Sequence, residues 1–195
     1  MKKALIGAGG HAREIEPYLG EDIVFFVDEK YIDKTNPQML PLQDFNPEEY
    51  EVMVCVGDSK DRQSMVDKLP LNTKYFSFIH PSAIISDPNI EIQEGSFIGP
   101  FSLITTNIKL GKHTVLNRLN NIGHDTECGD FLSMMPGSII SGNCKIGNRV
   151  YLGTNSCIRE KLSISDDTII GLSSGVIKDI NMGGTYVGSP VKKIR

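Results

Sequence analysis

The sequence predicts a small Rossmann-like α/β half domain followed by a parallel β-helix, and three observations predict it. Stepping by six from Ile92 gives Ile98, Ile104, Leu110, Leu116, Ile122, Cys128, Met134, Ile140, Ile146, Leu152, Ile158, Ile164, Ile170 and Val176, every one apolar. In a chain that is 39% hydrophobic, such a run arises by chance on the order of one time in a million. Glycine follows this position at Gly99, Gly111, Gly123, Gly129, Gly147, Gly153 and Gly171. Ahead of the repeats, short apolar runs alternate with helix-favouring segments, the layout of a parallel α/β sheet.

A period of six matches neither a helix nor a lone amphipathic strand. It fits short strands joined by tight turns, each repeat supplying one flat side of a coil. Identical positions then stack into an apolar column, where each buried Ile or Leu contributes roughly 1.5–3 kcal/mol. Two positions earlier the side chains are again small or aliphatic, as at Ile90, Ser96, Ser102, Thr114, Ser138, Val150, Ser156 and Thr168. The glycines are expected where the turn needs positive φ.

In chain order, Lys2–Ile6 is a strand running into Gly7-Ala8-Gly9-Gly10-His11-Ala12 and a helix. Strand, glycine turn and helix is the arrangement in which backbone N–H groups cradle phosphate. Further strands are expected over 23–27, ended by Asp28 and Glu29, over 52–56, ended by Gly57 and Asp58, and over 75–79, with a helix over 61–69. His80-Pro81-Ser82-Ala83 is the junction, so the domains are expected at 1–79 and 80–195. Asp87-Pro88-Asn89 reads as the entry turn, followed by hexads without insertion to Ile177, five triangular coils. After Gly183-Gly184 comes a basic tail with Lys192, Lys193 and Arg195.

Net charge is −4 with a pI near 5.6, which argues against bulk binding to nucleic acid or anionic membrane. No run approaches the ~18–20 apolar residues of a membrane span. The first three residues resemble the start of a signal peptide, but the glycines and His11 interrupt its apolar stretch, and the expected location is cytoplasmic. Cys55, Cys128, Cys144 and Cys157 lack CxxC spacing and are expected as buried free thiols. His11, His80, His113 and His124 are scattered, so no metal site is expected.

The segment 7–12 satisfies G-x-G-x-x-G/A, with Asp28 where a ribose-binding acid would stand. Only about half of a dinucleotide fold precedes the repeats, so a mononucleotide, such as the diphosphate of an activated sugar, fits better than NAD. Within the repeats, His124-Asp125 is the outward pair capable of proton transfer, because a neutral imidazole can take a proton near pH 7. His113, also at a turn, reads as solvated.

The glycine-rich segment 7–11, His80-Pro81-Ser82-Ala83, Asn117 through His124-Asp125, and Tyr186-Val187-Gly188-Ser189-Pro190 occur in one order. Together they resemble the bacterial sugar acetyltransferases of the PglD/NeuD type, over essentially the whole chain. The resemblance implies a left-handed β-helix that forms a homotrimer, with acetyl-CoA bound between subunits. It implies an N-acetyltransferase acting on a UDP- or dTDP-linked 4-amino-4,6-dideoxy sugar for surface glycan synthesis. His124 becomes the general base, Asp125 its support and Gly142 the backbone donor to the thioester oxygen, a position that also touches the coenzyme. Gly9, Gly10, His11, Asp28, Glu29 and Gly57 match positions that hold the nucleotide, and Asn117 and Arg118 match the sugar side. Thr154 and Leu172 fall where coenzyme A runs along the coils, mainly on main-chain contacts. Ser133 stands at a cofactor-side position where the family often has a second histidine. An O-acetyltransferase of the sialic-acid type and a non-catalytic, nucleotide-binding trimeric scaffold are the alternatives.

Overall fold

A computed structural model describes residues 1–20 and 22–195, and the chain divides into two units, Met1–Ser77 and Phe78–Arg195. The first contains β1 (Lys2–Ile6), α1 (Gly10–Leu19), β2 (Val24–Val27), β3 (Met39–Pro41), β4 (Tyr50–Val54), α2 (Ser59–Val66) and β5 (Lys74–Tyr75). The sheet order is β3-β2-β1-β4-β5 with all strands parallel. Ala4, Ile6, Phe26, Val52 and Val54 are buried in its core with Phe45 and Leu69, the near-continuous apolar strands expected of a covered parallel sheet. Strand order reverses between β1 and β4, and the crevice at such a switch point is where open α/β sheets bind ligands. Asp58 fixes the start of α2 by accepting from the backbone N–H of Lys60 and Asp61 at 2.9 and 3.0 Å, an N-cap.

One strand is not foreseen in the sequence and one strand expectation is corrected. The edge strand β3 carries little alternation and ends in Pro41, which conceals it in the sequence. The strand expected over 75–79 divides: Lys74–Tyr75 pairs with β4, whereas Phe78–Ile79 pairs with Phe97–Ile98 in the second unit.

The second unit is a left-handed parallel β-helix of hexapeptide repeats. Its first face runs from Phe78–Ile79 through Phe97–Ile98, Val115–Leu116, Ser133–Met134, Tyr151–Leu152 and Thr168–Ile170 to Gly184–Val187. The second face runs from Ile84–Ile85 through Leu103–Ile104, Asn121–Ile122, Ile139–Ile140 and Cys157–Ile158 to Gly175–Val176. The third runs from Glu91–Ile92 through Lys109–Leu110, Glu127–Cys128 and Lys145–Ile146 to Ser163–Ile164. Neighbouring strands of a face lie one coil apart, as in the pairs Asn121↔Ile139 and Glu127↔Lys145. All of the six-step column except Ile92 is buried, and Ile92 packs against that core. The helix begins earlier than the sequence suggests. Ile79 and Ile85 are also rungs, and one extra residue in the turn at 87–89 shifts the six-step frame before Ile92.

The role expected for the repeat glycines is also corrected. Positive φ falls two residues after the glycine position, at Phe101, Asn107, His113, Leu119, Asp125, Phe131, Asn143, Arg149, Asn155, Lys161, Asp167 and Ser173, with Gly95 and Gly137 in the same series. The repeat glycines are required by space. A Cβ on Gly153 would lie 2.6 Å from Leu172 N, and one on Gly123 would lie 2.5 Å from Gly142 N.

Three further expectations change. His113 is buried rather than solvated: its ring stacks on Phe131 with centroids 5.1 Å apart and occupies the space that the missing side chain of Gly95 leaves. Cys55, Cys128 and Cys144 are buried free thiols, but Cys157 points out from the second face and is exposed. The basic tail is structured. Gly184–Val187 extends the first face, and Lys192–Lys193 folds back antiparallel on it.

These observations predict opposite outcomes at two turn positions. Gly153→Ala should lower stability by about 1–3 kcal/mol through overpacking. Lys161→Gly, at φ 62°, should leave stability unchanged or raise it, because the left-handed conformation costs a non-glycine residue roughly 1–2 kcal/mol. Thermal melting of both variants beside the parent checks the pair.

Candidate active site

In the first unit, the loops after β1 and β4 frame a cavity of about 720 Å³ lined by Gly9, Gly10, His11, Asp28 and Gly57. Five of the six residues expected to hold nucleotide thus come together at the switch point. Glu29 does not join them and lines a separate hollow of about 340 Å³ that it shares with Asp28. Arg13, Tyr31 and Met39 also line the larger cavity, and nothing in the sequence pattern singles them out.

The cavity's loops rest on a buried cation. Arg62 of α2 is fully buried, and its Nη1 donates to the carbonyls of Val56 and Gly57 at 2.8 and 3.1 Å. Burial lowers its pKa to about 10, so it stays charged at neutral pH. Burial first, and the Arg62 charge second, push His11 down to about 4. His11 therefore meets a ligand as a neutral hydrogen-bonding ring. Arg62 supplies a buried positive charge beneath the cavity, in addition to Arg13 of its lining; sequence reading missed Arg62 because a helical arginine ordinarily signals a solvated face.

In the second unit, His124 and Asp125 stand at the corner between the second and third faces. His124 Nδ1 lies 2.7 Å from Asp125 Oδ2, and the two side chains are 56% and 46% exposed. Asp125 sits in the left-handed region at φ 58°, which turns its carboxylate back towards the preceding ring. One coil on, buried Gly142 faces the other edge of that ring. A Cβ there would lie 2.7 Å from His124 Nε2, and its three nearest atoms would all belong to the imidazole. Among the described residues no backbone acceptor takes the Gly142 N–H, whereas the N–H of Asn143 is used by His124 O at 2.7 Å. The arrangement presents one ring nitrogen held by a carboxylate, the other open, and a spare backbone donor beside it. This is the equipment for taking a proton while stabilising a developing oxyanion.

The remaining expected residues do not join that corner within one chain. Asn117, Arg118, Thr154 and Leu172 occupy the corner between the first and second faces, and no backbone acceptor takes the N–H of Thr154 or Leu172 among the described residues. Ser133 is fully buried on the first face. Among the described residues, no group of three or more His, Cys, Asp or Glu side chains could hold a metal ion, and no helix is long and apolar enough to cross a membrane.

The family model for the PglD N-terminal domain matches residues 2–69. Over 171 residues, 80% of this chain and 77% of the relative, the sequence is 26% identical to a GDP-perosamine N-acetyltransferase of Escherichia coli O157:H7. The solved acetyltransferase domain of PglB from Neisseria gonorrhoeae FA1090 matches with a TM-score of 0.86 at 26% identity, covering 99% of both chains. Along nearly its whole length the chain is thus similar to PglD-type acetyltransferases. That PglB domain is also solved in complex with acetyl coenzyme A, matching at a TM-score of 0.85 and 25% identity over 99% of this chain and 98% of that one.

The glycine beside the imidazole offers a clean test. Gly142→Ala should leave the coils intact, since the atoms nearest its Cβ belong to the movable His124 ring, yet displace Nε2 and cut the acetyl transfer proposed below at least about tenfold. Gly123→Ala, whose Cβ meets backbone, should lower the melting temperature as well. Steady-state rates and thermal melts on both variants separate the two effects.

Proposed function

We propose that the protein transfers acetyl from acetyl-CoA to the amino group of a nucleotide-linked 4-amino-4,6-dideoxy sugar. The observation that carries this reading is His124 Nε2 beside Gly142, with Nδ1 held by Asp125. The cavity of the first unit, with its glycine-rich turn, acidic Asp28 and buried Arg62, suits a nucleoside diphosphate. The relatives add that one is a GDP-perosamine N-acetyltransferase and another binds acetyl coenzyme A.

In the proposed reaction the sugar amine attacks the thioester carbon while His124 Nε2 accepts the proton that the nitrogen loses. The carbonyl oxygen gains negative charge and takes the Gly142 N–H. Collapse breaks the carbon–sulfur bond, and the imidazolium returns the proton to the departing thiolate. A placed base typically contributes ~10²–10⁴-fold to such a step, and loss of an oxyanion donor costs ~10²–10³.

A homotrimer belongs to the same reading. The outward residues of the third face are Glu91, Lys109, Glu127 and Lys145, of alternating charge, and then Ser163, a polar ladder suited to water. The second face instead turns Ile84 and Ile139 outward, and the corner beside it exposes Phe101, Leu119 and Leu172. A second copy packed there would bring the corner with Thr154 and Leu172 against another chain's His124, joining what one chain keeps apart. The proposed location is the cytoplasm, where acetyl-CoA and nucleotide sugars are both available.

Release of free thiol from acetyl-CoA should be followed with UDP-, dTDP- and GDP-linked 4-amino-4,6-dideoxy sugars, beside matching sugars carrying a hydroxyl in place of the amine. The expected result is turnover of an amino sugar, lost by about 10²-fold or more in His124→Ala, and a solution mass of three chains. Thiol release equal in parent and His124→Ala, or turnover confined to hydroxyl acceptors, would refute the proposal.

A further inference from the structure

The corner that carries His124 contains a third residue, Asn107, whose side-chain amide is bonded to Asp125. Asn107 lies one coil before Asp125, in the same left-handed turn position at φ 51°. Its Nδ2 donates to Asp125 Oδ1 at 2.7 Å, leaving Oδ2 for His124 Nδ1 at 2.7 Å. The two carboxylate oxygens are thus divided between an amide below and an imidazole beside. Asn107 is itself anchored from the preceding turn. Asp87 Oδ2 accepts from Thr106 Oγ1 at 2.6 Å and lies 3.4 Å from Asn107 N. The hydrogen bond from Asn107 is the foremost cause holding the Asp125 carboxyl below its usual range, ahead of the one from His124.

We propose that Asn107 is a positioning residue for acetyl transfer, fixing the Asp125 carboxylate so that His124 keeps its proton on Nδ1 and offers Nε2 to the amine. The inference rests on the proposed role of His124 as base. A carboxylate on an open corner turns freely about its last torsion unless both oxygens are engaged, and a wandering carboxylate leaves the neutral imidazole free to exchange tautomers. With Oδ1 tied to the amide, Oδ2 is directed at the ring. Asn143, the next residue of the same column, approaches His124 Nδ1 only at 3.5 Å and does not substitute for Asp125. The charged residues of this corner are Asp125 beside the ring, Asp87 two coils below, and Arg159, Glu160 and Lys161 two coils above.

The left-handed backbone makes the test clean. Asn107→Gly keeps the turn conformation and removes the amide; Asn107→Asp keeps size and turn preference and removes the donor. Both variants and the parent should be labelled with ¹⁵N-histidine, and the His124 tautomer read by NMR in the protein alone. The parent should show the Nδ1–H form, and the variants a mixture of Nδ1–H and Nε2–H. With GDP-perosamine and acetyl-CoA, kcat should fall about tenfold in both variants, with both KM values and the melting temperature held. A purely structural asparagine would change the melting temperature and leave the tautomer alone. Parent-like tautomer in both variants would overturn the inference even where His124→Ala is inactive. Full activity in His124→Ala would instead bring down the reading beneath it, and the NMR result decides for Asn107 whether or not this sugar is turned over.

Discussion

The second unit depends on one constraint, a left-handed backbone turn recurring every sixth residue. Three such turns close a coil of eighteen residues, and side chains eighteen apart then stack. Non-glycine residues occupy this conformation at twelve places, including Phe101, Leu119 and Phe131, each at a cost of roughly 1–2 kcal/mol. What offsets the cost is the interior. Leu116, Met134, Leu152 and Ile170 form one of three continuous buried columns, each side chain contributing roughly 1.5–3 kcal/mol. Glycine is spent instead where one coil's backbone passes against the next.

The same stacking decides which corner is chemically open. At the corner between the third and first faces, Asp130, Asn148 and Asp166 turn back to accept backbone N–H groups of the preceding coil. Asp130 Oδ1 takes Lys112 N at 2.7 Å, and Asn148 and Asp166 do likewise for Asp130 N and Asn148 N at 2.8 Å. That ladder satisfies its own turn donors and closes the edge. At the corner carrying His124 the equivalent positions are Thr106, His124, Gly142 and Glu160, and no such ladder forms. In that register the Gly142 N–H would be capped by Glu160, and among the described residues no such bond forms; the absent side chain of Gly142 leaves room for the His124 ring. The edge proposed as reactive is therefore one that lacks the self-capping pattern. The first unit follows a comparable logic, with loops held from beneath by Arg62 and their upper surface open to a guest.

Much of this was legible in the sequence because the hexad period survives translation into space. Fourteen of the fifteen positions are buried, and His124, Asp125 and Gly142 meet because they are one residue and one coil apart. Other features left weaker marks. A glycine reads the same whether it supplies positive φ or clears room for a neighbouring strand, and here it clears room. The residues that do take positive φ include Lys161, Arg149 and Phe101, which no turn preference would select. The insertion at 87–89 broke the frame and hid the first coil. His113 looked like another turn histidine, yet Gly95 leaves a hollow that its ring fills. Asn107 became meaningful only once the coil length placed it beneath Asp125.

The claim at the centre of this account is that coil stacking sets a proton acceptor and a backbone donor on either side of one carbonyl. A crystal structure of the protein with acetyl-CoA bound tests it most directly. The account predicts the thioester oxygen at hydrogen-bonding distance from Gly142 N, with His124 Nε2 facing the acetyl carbon across the space left for the amine. A thioester seated away from this corner, with the imidazole turned to open solvent, would contradict it.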